Sequence, residues 1–233
     1  YVPTEKPDRA EIPAAQDIAA LVKDYKGKEV VAQGEAFDAS PEAVEARTLR
    51  FTAPNGLKGA LLSRKTKGAM ASLQLTLRFG READLMDRKA VPGLTGAMLT
   101  RGTTKHTRQE LADTFDKLRA QVAVNGTPTW AMATVQVPRE NLAATLRLLA
   151  EVLREPAFPA SELETLVKQQ ATGLEAQRSE PQARAMEFMG ETFNAFPAGH
   201  PLAYRNSDTR LAELKLVKAE DLKAFHQAFY GAD

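Results

Sequence analysis

The sequence predicts an α+β domain in which helices pack on one face of an antiparallel sheet. Two hairpin signals, an alternating strand between them and amphipathic helical patterns after each group of strands support this class. Three strands, helices, two strands and further helices follow in that order, so elements of one kind are grouped rather than alternating one by one.

Residues 1–47 differ in pattern from the rest of the chain. Four prolines interrupt any long element, and one short helical pattern lies between them, at residues 17–22. We interpret residues 1–47 as an interdomain connector and residues 48–233 as the domain. Because the chain begins at Tyr1 without an initiator methionine, we expect a piece of a longer protein.

Three strands are predicted at the start of the domain. Residues 47–52 and 57–63 flank Asn55-Gly56, and Asn-Gly between apolar runs is a specific signal for a hairpin. Residues 72–79 alternate polar and apolar side chains, so one face of this strand should be buried against helices.

A helix and a second hairpin follow. Thr107 and Glu110 form a capping-box pattern at the start of the helix. The hairpin strands are predicted at residues 121–124 and 129–137. In the second strand one face is apolar and the opposite face is more polar, namely Ala131, Ala133, Val135 and Val137 against Trp130, Met132, Thr134 and Gln136.

Amphipathic spacing predicts the remaining helices. Their ranges are residues 142–153, residues 161–179, a helix that restarts at Pro181, and two short helices at residues 211–214 and 222–229. A second capping-box pattern, from Ser161 to Glu164, marks the start of the helix at 161–179. Residues 196–201 are predicted to be a loop, because two prolines and a glycine leave no helical register.

Composition narrows the classes of partner. Lys+Arg 31 against Asp+Glu 30 leaves a formal charge of +1, which favours neither nucleic acid nor an anionic membrane. No apolar run approaches bilayer length, and the first residues lack a signal-peptide pattern. The absence of cysteine excludes disulfides and thiolate metal sites, and fits a cytoplasm or a bacterial periplasm equally well.

Two glycines stand close together in the apolar helical segment at residues 89–103. Each of Gly93 and Gly96 costs about 1 kcal/mol relative to alanine in a helix interior. Either another backbone packs closely against them, or the first helical turn after Pro92 is frayed. We favour the frayed turn, because proline suits the first turn of a helix. Met98 and Leu99 then mark the buried face.

This segment, which ends in Gly102-Thr103, resembles the zinc-binding helix of the pitrilysin/insulinase family of metallopeptidases. Active members of that family carry His-x-x-Glu-His shortly before a Gly-Thr. The resemblance continues in Glu155-Pro156-Ala157-Phe158, in residues 175–181 and in Gly199-His200-Pro201, and it spans residues 48–230. It implies a metallopeptidase domain of the LuxS/processing-peptidase-like type.

The resemblance also implies what this chain lacks. Aligned on Gly102-Thr103, the two histidine ligands fall on Gly93 and Ala97, and the general-base glutamate falls on Gly96. Histidines at i and i+4 share one zinc ion, and the glutamate takes a proton from the zinc-bound water. Glycine and alanine supply neither lone pairs nor charge. We therefore expect no catalytic residue and no metal ligand here.

A third ligand, a glutamate, is expected in active members on the helix at residues 161–179. Glu175 is the nearest acid to its position and is interpreted as a relic at most, and Leu174 is the alternative occupant of that position. The three histidines, His106, His200 and His226, show no i, i+4 spacing, so we expect surface or hydrogen-bonded histidines rather than a metal site.

Two further groups of residues carry alternative interpretations. Residues 63–67 with Arg101 and Lys105 form a basic group, but the neighbouring acids at Glu82, Asp84 and Asp87 favour a solvated loop over a nucleic-acid site. The aromatic residues either line a peptide-binding wall or pack in the core, and core packing is favoured. They are Trp130, Phe188, Phe193 and Phe196.

Members of this family are built from two homologous halves that close around a peptide, and one half carries the zinc. The resemblance implies that this chain is the first domain of the non-catalytic half, an inactive peptidase domain. It would help to form the chamber that binds peptide substrates, together with a catalytic half that is fused or a separate subunit and that holds the zinc. The parent protein or complex would then be a zinc-dependent endopeptidase.

The alternative is a non-enzymatic scaffold or assembly subunit descended from the same family. The sequence assigns no substrate-binding residue under either hypothesis. In the family a strand follows the last helix, so the resemblance implies that the domain is truncated at its C-terminus, at Asp233. A sheet edge or apolar face should then be left uncovered, and we expect self-association of the chain through it.

Overall fold

The computed structural model describes Lys23 and residues 33–231. The predicted helix at residues 17–22 lies outside this part, and the interpretation of residues 1–47 as a connector stays a prediction. The described helices are α1 Pro41–Arg47, α2 Glu82–Leu85, α3 Val91–Met98, α4 Arg108–Lys117, α5 Leu142–Arg154, α6 Ala160–Arg178, α7 Pro181–Thr192, α8 Ser207–Leu214 and α9 Ala219–Phe229. Among them, none is long and apolar enough to cross a bilayer.

The strands confirm the α+β class and divide between two small antiparallel sheets. One is the predicted Asn-Gly hairpin, and the other has the order β3-β5-β4. The strands are β1 Thr48–Thr52, β2 Lys58–Leu62, β3 Met70–Arg78, β4 Gln121–Gly126 and β5 Trp130–Pro138. A hairpin signal depends only on neighbouring residues, so the sequence predicts both hairpins. It does not predict that β1 and β2 form a sheet separate from β3.

The central strand β5 separates a buried face from a more exposed one. The four residues predicted to share its apolar face are all buried, namely Ala131, Ala133, Val135 and Val137. The alternation predicted for the third strand is also confirmed, since exposed and half-buried residues alternate along β3. A period of two along each strand therefore directs one face of the three-stranded sheet toward the helices.

Two helices contribute the most completely buried residues. Met98 and Leu99, at the end of α3, are fully buried as predicted. Leu222 and Phe225 of α9 are buried with them. Phe225 meets Phe79, which follows β3, edge to face with a centroid separation of 5.2 Å. This aromatic contact fixes the last helix against the end of the sheet.

The two predicted capping boxes differ in outcome. Thr107 caps α4, because its hydroxyl accepts a hydrogen bond from Glu110 N–H and the Glu110 carboxylate accepts one from Thr107 N–H. The capping box predicted from Ser161 to Glu164 is wrong. The helix α6 begins at Ala160, directly after Pro159, and no side chain caps its first turn. Ser161 lies inside the first turn of that helix.

Replacing the two hydroxyl residues tests this difference. We expect Thr107→Ala to lower the free energy of unfolding by about 1 kcal/mol, because two amide hydrogen bonds at the start of α4 depend on the box. Ser161→Ala, the matched control, should leave it unchanged within about 0.5 kcal/mol. Urea denaturation of the two variants measures both values, and an equal loss in both would contradict the assignment.

Candidate functional site

The helix that aligns with the family's zinc helix packs directly against the end of β4. A Cβ placed on Gly96 would lie 2.5 Å from Cα of Gly126 and closer still to its amide nitrogen. A Cβ placed on Gly126 would in turn lie 2.5 Å from the carbonyl oxygen of Pro92. Real Cβ atoms do not approach other atoms so closely. The two backbones therefore meet at a distance that only a pair of glycines permits.

This contact decides between the two interpretations of the glycines. The favoured frayed turn is wrong, because residues 91–98 form a regular α-helix with Pro92 in its first turn. The alternative, close packing of another backbone, is correct for Gly96. Gly93 is different, because its added Cβ would meet nothing closer than the Gly126 carbonyl oxygen at 3.8 Å. That distance is an ordinary van der Waals contact.

Gly126 was not recognised as a packing residue from the sequence. The strand ranges predicted from the sequence, residues 121–124 and 129–137, place Asn125-Gly126 in the connecting turn. In the structure β4 continues through both residues, and they pair with Met132 and Ala131. A glycine in the sequence is compatible with a turn and with a close approach of another backbone, because both favour a residue without a Cβ. Only the position of α3 in the structure shows that Gly126 serves close packing.

A cavity of about 460 Å³ opens beside Gly93 and Gly126. Its opposite wall is α6, which contributes Gln170, Gly173, Leu174 and Gln177. Leu174 is buried and lines the cavity, whereas Glu175 is exposed and does not. The structure therefore brings Leu174, and not Glu175, to the wall that faces Gly93.

Charged residues from the loops and from α8 complete the cavity. Lys89 precedes α3, Arg205 lies in the loop before α8, and Arg210 and Glu213 lie on α8. Nη1 of Arg205 lies 2.9 Å from the Glu213 carboxylate. The sequence does not predict this grouping, since Lys89 and Glu213 are far apart along the chain.

The Gly102-Thr103 pair anchors the far end of the α3 segment. The Thr103 hydroxyl donates to Glu151 of α5 at 2.5 Å and accepts from the backbone N–H of His106 at 2.9 Å. His106 Nδ1 lies 2.7 Å from the same carboxylate. Burial opposes ionisation of Glu151, but the hydrogen bonds from Thr103 and His106 outweigh it, so the pKa of Glu151 lies below its ordinary value.

The histidines are dispersed, and each has a local partner. His106 contacts Glu151, His200 stacks on Phe196 with a centroid separation of 4.3 Å, and His226 Nε2 donates to the Leu153 carbonyl at 2.7 Å. Burial lowers the pKa of His226 despite this hydrogen bond. Within residues 33–231 and Lys23, no group of three potential metal-binding side chains occurs.

The basic group proposed from the sequence has separate partners. Arg101 pairs with Glu162 at 3.0 Å, and Lys105 pairs with Glu155 at 2.9 Å. The guanidinium of Arg64 lies 5.1 Å from the centroid of the Phe37 ring. The favoured core packing of the aromatic residues is wrong for Phe188, Phe193 and Phe196, whose exposed fractions are 69%, 75% and 39%. Trp130 is half-buried.

A family model for the insulinase peptidases, family M16, matches residues 60–206, which is more than half of the chain. The chain belongs to the insulinase family. Family M16 peptidases are zinc-dependent in general, and their proteins work as paired halves. No curated protein matches the sequence.

Solved structures have the same fold. The inactive domain of a peptidase M16 from Pseudomonas fluorescens is 25% identical, with a TM-score of 0.67, and the match covers 77% of this chain and 42% of that one. A protease from Helicobacter pylori is 14% identical, with a TM-score of 0.66, and the match covers 79% and 44% of the two chains. The chain spans less than half the length of each of these proteins.

The periplasmic protease PqqL from Escherichia coli is a third match. It is 15% identical, with a TM-score of 0.60, and the match covers 85% of this chain and 22% of PqqL. The family model and the Pseudomonas fluorescens structure support an inactive domain of the insulinase family for this chain, whereas the two likenesses below 25% identity show the fold alone.

The residues at the position of the family's zinc site do not fit a zinc ion. Gly93, Gly96 and Ala97 offer no donor atom, and the Gly126 backbone fills the space that any side chain at position 96 would need. Zinc requires three or four nitrogen, oxygen or sulfur ligands at about 2 Å. The cationic residues that line the adjacent cavity would also repel a divalent cation.

Alanine substitutions at the two glycines separate packing from helix propensity. Gly96→Ala should lower the free energy of unfolding by about 1–3 kcal/mol, because the methyl group collides with the Gly126 backbone. Gly93→Ala gains the same helix propensity without a collision, and should be neutral or stabilising by up to about 1 kcal/mol. Thermal and urea unfolding measure both variants. Equal stabilisation of the two would show that α3 is not packed closely on β4.

Proposed function

We propose that this domain is a catalytically silent member of a two-half zinc peptidase, and that it helps to form the closed chamber that binds peptide substrates beside an active half. The observation that carries the proposal is the loss of every donor at positions 93, 96 and 97 in a chain that keeps the family's fold. A domain that keeps the fold without the ligands retains its shape but not the hydrolytic chemistry.

The cavity beside Gly93 supports a role in binding peptide. Its volume, about 460 Å³, is that of an ordinary ligand pocket, and glycines of α3, β4 and α6 line it. Zinc and the general base belong to the partner half in this proposal, whether that half is fused or separate.

Exposed apolar residues on α7 and just after it favour a second function, that of a scaffold or assembly subunit. Phe188 and Phe193 are mostly exposed, and Met186 and Met189 are exposed beside them at 60% and 48%. An apolar surface of this kind is typical of protein interfaces. A scaffold would use this surface and would not need to bind free peptides.

Metal content, cleavage and peptide binding distinguish these roles. We expect less than one zinc per ten chains after dialysis, no chelator-sensitive cleavage of an unfolded peptide, and measurable binding of fluorescein-labelled unstructured peptides in an anisotropy assay. One tightly held zinc per chain, or chelator-sensitive cleavage, would contradict the silent assignment. Absence of peptide binding with retained folding would favour the scaffold.

Restoring the motif provides a further test. The combined substitutions Gly93→His, Gly96→Glu and Ala97→His supply the ligands and the base, yet we expect weak zinc binding at best and no useful activity. The glutamate at position 96 collides with Gly126, so we expect a loss of stability. The double variant Gly93→His/Ala97→His, which keeps Gly96, is the control and should retain the stability of the parent. Peptidase turnover by the triple variant would show a preorganised site.

Self-association remains a prediction that the exposed residues support. The β1–β2 hairpin exposes Leu49, Phe51 and Leu61 at 62%, 48% and 55%, and two-stranded sheets without a partner surface are only marginally stable. We expect concentration-dependent dimers in multi-angle light scattering. Leu49→Lys/Leu61→Lys should weaken them if the hairpin is the contact, and Phe188→Lys/Phe193→Lys if α7 is. A strictly monomeric chain at high concentration would contradict the prediction.

A further inference from the structure

The cavity beside Gly93 has an excess of positive charge. Lys89, Arg205 and Arg210 line it together with a single acid, Glu213. Glu213 is already paired with Arg205 at 2.9 Å. No carboxylate of the described residues lies within 4.0 Å of Lys89 or Arg210. Two cationic groups therefore remain without a local counter-charge.

The acids of the adjoining cavity do not remove this excess. Arg205 and Arg210 also line that cavity, together with Glu180 and Glu187. Glu187 is engaged, because it accepts hydrogen bonds from Arg184 at 2.5 Å and from Ser207 N–H at 2.6 Å. The Ser207 N–H bond, the larger effect, and the nearby Arg184 charge hold the pKa of Glu187 below its ordinary value despite burial. Glu180, the remaining acid of that cavity, forms no ion pair within 4.0 Å among the described residues.

The walls leave room for a group to reach these charges. A Cβ placed on Gly173 of α6 would meet nothing within 4 Å, and one placed on Gly93 would meet only the Gly126 carbonyl oxygen at 3.8 Å. The side-chain amides of Gln170 and Gln177 line the wall formed by α6, and amide groups of this kind donate hydrogen bonds to a carboxylate.

We propose that this cavity binds the carboxylate of an acidic side chain in a peptide, and that Arg210 and Lys89 supply the attraction. Guanidinium and carboxylate groups match in geometry and form paired charge-assisted hydrogen bonds. Positive side chains thus line a cavity beside Gly93, a position that the resemblance assigns to a zinc ligand in active members, and the site selects a part of the peptide instead of hydrolysing it. The proposal rests on the peptide-binding function proposed above and names its substrate class.

Two peptides and two double variants test the assignment. The peptides are labelled, unstructured and identical except that four glutamates in one are glutamines in the other. The variant Lys89→Gln/Arg210→Gln removes the two unpaired charges. The control, Arg147→Gln/Lys168→Gln, removes the same two charge types from exposed residues of α5 and α6 outside the cavity. All substitutions are at exposed positions, and circular dichroism checks folding.

The parent and the control should bind the glutamate peptide about tenfold more tightly than the glutamine peptide at low ionic strength, and added salt should reduce the preference. Each exposed charge pair contributes about two- to fivefold in affinity, so two pairs account for the tenfold preference. Lys89→Gln/Arg210→Gln removes both charges and should abolish the preference, and it should leave the affinity for the glutamine peptide unchanged.

The possible failures are distinguishable. If both peptides bind the parent equally, or if the preference survives in Lys89→Gln/Arg210→Gln, this inference is wrong and peptide binding stands. If the control variant loses the preference as fully as the cavity variant does, the attraction comes from net charge, and the cavity assignment is wrong. If neither peptide binds the folded parent, the proposed peptide-binding function fails, and this inference fails with it.

Discussion

The contact between Gly96 and Gly126 is the constraint on which the arrangement of this domain depends. It sets the distance between α3 and the end of β4, and it thereby positions Met98 and Leu99, which are fully buried, over the sheet. Protein interiors are close-packed and transmit displacements. A side chain at position 96 would therefore move the helix, and with it the residues that the helix buries.

The same contact adds a second observation, besides the absence of three side chains, to the proposal that this domain is catalytically silent. A glutamate at position 96 needs open space in front of the helix, and this chain fills that space with strand backbone. The wall of α6 that faces Gly93 carries a buried leucine at position 174. The packing and the missing ligands thus both support the proposal that this domain is catalytically silent.

Beside this closed contact, the cavity is open and cationic. The charges come from the loop before α3, from the loop before α8 and from α8 itself. Arg205 is paired with Glu213, whereas Arg210 is exposed. Both arginines line this cavity and two neighbouring ones. Guanidinium groups match carboxylates in geometry, which agrees with the proposed recognition of acidic side chains.

The sequence by itself determined the class of fold, both hairpins, the capping box at Thr107 and the missing zinc ligands. These features depend on local periodicity, on turn residues or on residue identity at a known spacing, and all three can be identified from a single sequence. The tertiary structure alone decided that Gly96 meets Gly126, that Leu174 rather than Glu175 faces the cavity, and that Phe188 and Phe193 are exposed. Each of these depends on contacts between segments far apart in sequence, and glycine or phenylalanine gives the same local signal whether it is packed, turning or exposed.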